Sequence, residues 1–101
     1  MSPTYTKSDS EINVQVGDHF VVELEGNPTT GYDWQLTFDP DKLSLLNQLY
    51  KPKGGGIGAG GVQVSEFKAV ETGQTTLRAI YKRSWEPAGI EDLTFNVKIK
   101  K

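Results

Sequence analysis

An all-β fold, a two-sheet antiparallel sandwich of seven or eight short strands, follows from three features of the 101-residue chain. Apolar residues recur with a period of two in one run after another. Turn signals separate these runs at intervals of about 8 to 12 residues. No stretch carries the 3.6-residue periodicity of a long amphipathic helix.

The first ten residues, MSPTYTKSDS, lack any such alternation and are expected to form a flexible N-terminal segment, leaving residues 11–101 as a single domain. Ile12, Val14 and Val16 alternate with Glu11, Asn13 and Gln15. Gly17-Asp18 then supplies a turn before Phe20, Val22 and Leu24 alternate again, which predicts a hairpin. Tyr32, Trp34, Leu36 and Phe38 share one face of the next strand, opposite Asp33, Gln35 and Thr37, until Asp39-Pro40-Asp41 stops it. Residues 43–50, LSLLNQLY, fit a strand or a short helical turn, and the strands on either side favour a strand. In residues 62–70 the phase slips between Val64 and Phe67, which predicts a bulge or a crossing of the core edge there. Glu71-Thr72-Gly73 forms a turn. Leu77, Ala79 and Tyr81 then alternate with Thr76, Arg78, Ile80 and Lys82, and Leu93, Phe95, Val97 and Ile99 make the most regular face of all. Counting reversals from Ile12 gathers the connections at 26–31, 52–61 and 84–90 at one end of the sandwich.

Composition excludes several function classes. The chain has no cysteine, which removes disulfides, thiolate metal sites and cysteine nucleophiles. Its net charge of −2 and its scattered lysines and arginines argue against nucleic acid as a partner. No apolar run approaches the ~18 residues that cross a membrane, and the N-terminus lacks the basic start and apolar middle of a signal peptide. A soluble monomer without membrane partner or targeting segment is therefore expected of the chain as it stands. No catalytic, metal or cofactor site is predicted. His19, the sole histidine, stands beside Asp18 at a strand start with no nucleophile or ligand set around it. Glu23 and Glu25 fall on the outward face of a strand, and Glu91-Asp92 opens another. The glycines at 54, 55, 56, 58, 60 and 61 precede neither a Gly-Lys-Ser/Thr sequence nor a helix start, so they do not form a phosphate loop. They read as a flexible loop, or as backbone left bare for the close approach of a partner's backbone.

The three clustered connections hold the unusual residues: Asn27, Pro28, Thr29, Thr30, Gly31 and Tyr32 (NPTTGY); Gly58, Ala59, Gly60 and Gly61 (GAGG); and Arg83, Ser84 and Trp85 (RSW). In this order they resemble the signature loops of the chagasin-type inhibitors of papain-family cysteine peptidases, whose pattern is NPTTG-aromatic, GxGG and RPW or RPF. The first two match in full, whereas Ser84 stands where the family usually has proline. The resemblance runs from Val14 to Lys100. It implies an immunoglobulin-like antiparallel β-sandwich of about seven or eight strands, and a reversible, tight-binding inhibitor of papain-family cysteine peptidases rather than an enzyme. It also implies that these thirteen residues form the peptidase-binding surface. Thr29 would lie closest to the enzyme's catalytic cysteine, and Trp85 near aromatic groups by its catalytic histidine.

Elementary chemistry fits those roles. Pro28 fixes one backbone angle and Gly31 permits a turn that other residues resist, so the first loop makes a small, stiff wedge. Thr29 and Thr30 offer hydroxyls without a charge to desolvate, and their β-branching limits rotamers before binding. Bare glycines at 58, 60 and 61 would let the second loop lie along a substrate groove through main-chain hydrogen bonds. Trp85, outside any alternation, suits an interface anchor, while Trp34, on an apolar strand face, suits the core. The alternative is an immunoglobulin-like adhesion or carbohydrate-binding module, in which a sheet face would bind instead of the loop tips.

Overall fold

The alternating apolar residues are sorted between two four-stranded sheets that face one another. The structure, a computed structural model, describes residues 3–26, 31–52 and 60–101. Its strands are β1 (Thr4–Thr6), β2 (Glu11–Gln15), β3 (His19–Gly26), β4 (Tyr32–Phe38), β5 (Leu43–Pro52), β6 (Gly61–Ala69), β7 (Gly73–Arg83) and β8 (Glu91–Lys100). One sheet has the order β1-β3-β6-β5 and the other β2-β8-β7-β4. Every second residue enters the shared core: Ile12 and Val14, Phe20, Val22 and Leu24, Leu77 and Ala79, and Phe95, Val97 and Ile99. Phe67 joins the layers at their centre. It stacks on Phe20 at 5.4 Å between ring centroids and meets Phe38 edge-on at 5.2 Å.

Four features differ from the sequence-based expectation. The runs at 12–16 and 20–24 do not form a hairpin, because β2 pairs with β8 and β3 with β6. The link between them changes sheets: the Val16 amide donates to the Lys100 carbonyl and the Gly17 amide to the Ala69 carbonyl. Gly17 makes this step at φ 92°, a conformation that side chains oppose. Alternation shows that both runs bury one face, but it is blind to which neighbour each run pairs with.

Secondly, the segment before residue 11 is not wholly loose. Thr4–Thr6 runs parallel to β3, and Tyr5 packs edge-on against Phe20 at 6.1 Å. Thirdly, the antiparallel sandwich carries two parallel edge pairs, β1 with β3 and β2 with β8. Finally, the bulge lies in β5 rather than β6. Leu45 and Asn47 oppose Phe67 and Glu66, which leaves Leu46 as the extra residue. Strand β6 keeps its phase because Gly61, Ser65, Phe67 and Ala69 all point inward, with the small Ser65 taking a position that pattern-reading assigns to an apolar residue. LSLLNQLY is a strand as expected. Its ambiguity has a cause: β5 is an edge strand with a bulge, so among its large apolar residues only Leu43 is buried, while Leu45, Leu46, Leu49 and Tyr50 stay exposed.

Candidate functional site

Strand register brings the stems of the three notable loops to one end. In the first sheet Gly26, Gly61 and Pro52 stand side by side at the ends of β3, β6 and β5. In the second, Tyr32 at the start of β4 pairs with Arg83 at the end of β7. The two sheets meet closely here, since a Cβ on Gly26 would lie 3.2 Å from the Tyr81 ring and 3.5 Å from the Trp34 indole nitrogen. Of the thirteen residues singled out by sequence, Gly31, Tyr32, Gly60, Gly61, Arg83, Ser84 and Trp85 are described. Asn27, Pro28, Thr29, Thr30, Gly58 and Ala59 lie outside the described residues.

The described seven fall into two groups. Gly60 adopts φ 78°, and Gly61 is buried where any Cβ would collide with the Lys51 carbonyl oxygen and the Tyr50 phenol. The second connection therefore requires glycine at its exit for two separate reasons, a left-handed turn and a close approach. The other group joins the first and third connections. Gly31 sits at φ 85°, and a Cβ there would stand 2.8 Å from Cη2 of Trp85, so the indole rests directly on the bare backbone. Trp85 is 70% exposed although it makes this contact. Trp34, on β4, is by contrast 3% exposed, as its place in an apolar alternation predicts.

Between the two tryptophans runs a continuous column of π-systems. Trp34 lies 4.8 Å from Tyr81, Tyr81 stacks on Tyr32 at 5.3 Å, and the Arg83 guanidinium carbon sits 4.6 Å above the Tyr32 ring and 5.9 Å from the Trp85 ring. The register explains the column: Trp34 pairs with Tyr81 and Tyr32 with Arg83, so four side chains two residues apart on adjacent strands share one face. Trp34 is fixed further by donating its indole N–H to the Glu25 carbonyl at 3.0 Å.

Two supporting residues escaped sequence reasoning. Tyr81 is in phase with Leu77 and Ala79, and continuing that phase to Arg83 would have revealed the column. Gln63, on β6, reaches across to β4 and binds Trp34 at both main-chain groups. Its Oε1 accepts from the Trp34 amide at 3.3 Å and its Nε2 donates to the Trp34 carbonyl at 3.2 Å. No pattern in sequence announces a glutamine acting as a substitute strand.

Away from this end, Arg78 grips Asp92 through two contacts of 3.0 and 2.5 Å, and this hydrogen bonding holds the Asp92 carboxyl below its ordinary range. His19 pairs with Glu66 at 3.1 Å on the surface. Among the described residues no cluster of His, Asp and Glu is arranged to hold a metal ion, and no helix is long and apolar enough to cross a membrane.

The profile of the chagasin family of peptidase inhibitors, I42, matches residues 13–99. Amoebiasin-1 of Entamoeba histolytica is 29% identical over 98% of this chain and 97% of its own length. Chagasin of Trypanosoma cruzi is 25% identical over 99% and 98%. In three dimensions the chain is similar to the cysteine protease inhibitor EhICP2 from Entamoeba histolytica, with a TM-score of 0.86, 24% identity, and coverage of 97% of this chain and 94% of that one. It also shares its fold with PbICP-C, solved in complex with falcipain-2, at a TM-score of 0.62 and 17% identity over 98% of each chain. Matched by that family's sequence profile from residue 13 to residue 99, the chain belongs to the chagasin family of peptidase inhibitors.

Proposed function

We propose that the chain reversibly inhibits papain-family cysteine peptidases by seating three loops across the active-site cleft. The observation that carries this reading is the Gly31, Tyr32, Arg83 and Trp85 assembly. It presents a large exposed indole beside the first loop, at the end of the sandwich where the second loop also emerges. An exposed tryptophan is a costly feature for a solvated surface and a productive one for an interface, where aromatic anchors concentrate binding energy. Because the assembly is already in place in the free protein, less ordering is required on docking.

In this scheme the residues 27–31 form the wedge nearest the catalytic cysteine, with Thr29 and Thr30 giving neutral hydroxyls to its polar surroundings. Gly58, Ala59, Gly60 and Gly61 lie along the substrate groove, and Trp85 packs by the catalytic histidine. No reactive side chain of the inhibitor takes part, so the block is steric and non-covalent. Titrating papain with the purified protein should abolish activity near a stoichiometric addition. A papain variant lacking the catalytic thiol should still bind in calorimetry, and long incubation with active enzyme should leave the 27–31 loop uncut. Undiminished activity at high micromolar excess would overturn the proposal.

A further inference from the structure

We propose that Arg83 is a positioning residue: its guanidinium, lying on the Tyr32 ring and beside the Trp85 ring, holds Trp85 in its docking orientation against Gly31 and so promotes inhibition through Trp85. This rests on the inhibitor reading above and assigns Arg83 a task within that site.

Trp85 presents a particular physical problem. Strand β7 ends at Arg83, and the chain then turns, with the Glu86 amide donating to the Arg83 carbonyl at 3.1 Å. The indole therefore projects from a turn with most of its surface in water. A side chain so placed would ordinarily exchange among rotamers and lose that freedom on binding, at a cost to affinity. Two described contacts restrain it. One is the bare backbone of Gly31, whose missing Cβ leaves room for the ring edge. The other is Arg83.

Arg83 can act as a restraint because it is itself tied to the core. Its register partner Tyr32 lies beneath its guanidinium, Tyr32 stacks on Tyr81, and Tyr81 packs against buried Trp34. The Glu86 carboxylate approaches Nη1 at 3.9 Å and steadies the head group from the turn side. A planar, weakly hydrated guanidinium can lie on one ring and favour a second ring nearby, whereas a compact ammonium cannot reproduce that geometry. Arginine is thus required for its shape as much as for its charge.

Five inhibitors would test this against papain: the natural chain, Arg83→Gln, Trp85→Ala, the double variant and Arg83→Lys. Arg83→Gln is expected to weaken inhibition about threefold to tenfold. In the Trp85→Ala background the same change should matter less than about twofold, since the group it positions is gone. Arg83→Lys should resemble Arg83→Gln. A second readout follows the free protein by NMR, where nuclear Overhauser contacts between the Trp85 ring and Gly31 should be present in the natural chain and absent in Arg83→Gln. Equal losses in both backgrounds, full inhibition by Arg83→Lys, or contacts that persist in Arg83→Gln would each overturn the proposal. If papain is not inhibited by the natural chain, the inhibitor reading fails, and the NMR contacts still decide whether Arg83 positions Trp85.

Discussion

Trp34 and Trp85 stand at the two ends of one column, the first buried and the second mostly in water. Trp34 fills the core, so Trp34→Ala should cost on the order of 3 to 5 kcal/mol of stability, read as a large fall in melting temperature. Trp85→Ala should leave the melt nearly unchanged and weaken papain binding by about 1 to 3 kcal/mol, measured as an inhibition constant. A Trp85→Ala protein that melts early yet inhibits normally would place that residue in the fold rather than the interface. The contrast in burial was legible in sequence, because Trp34 continues an alternation and Trp85 does not. The stacking of Arg83 was not. A stacked guanidinium depends on rotamers and on the path of a turn, and neither leaves a periodic trace.

At the scale of elements, what sequence conveyed best was which residues face inward, and what it conveyed least was how strands are joined. Residues 12–16 and 20–24 each display a clean apolar face, so a tight turn between them looked like a hairpin. The same two faces serve equally well in opposite sheets, and the amide bonds of Val16 and Gly17 choose the latter. The apparent slip in β6 had a similar origin. Val62 and Val64 are only partly buried on the other face while Ser65 is buried, so hydrophobicity misjudged the phase.

Edge strand β4 offers a test at this scale. Gln63 satisfies the Trp34 amide and carbonyl on the side away from β7, covering an edge that would otherwise be half-buried and unpaired. Gln63→Ala should lower stability by about 1 to 3 kcal/mol. Inhibition of papain by the folded fraction should change little, since the Tyr32 to Trp85 part of the column is anchored through Tyr81 from β7. Denaturant melts alongside inhibition constants check both halves, and an unaltered melt would show that water replaces the glutamine without loss.

For the molecule as a whole, composition and turn spacing were enough to give an all-β sandwich, and three loop motifs were enough to give the family. What they could not convey was closure. Glu11 pairs with Asn96 and Gln15 with Lys100, so one edge of a sheet is built from the two extremes of the domain. That arrangement governs the order of events in biosynthesis. A nascent chain can pair β3 with β6 early, but Ile12 and Val14 have no partner strand until β8 has cleared the ribosome. Folding must then close a loop spanning nearly the whole domain before that pairing contributes, which sets refolding in the range of milliseconds to seconds. Stopped-flow refolding should find its main phase there, and a chain ending after Phe95 should stay unfolded by circular dichroism. A protein whose task is to disarm peptidases thus passes through a stage, before its last strand arrives, in which it is open to cleavage by them.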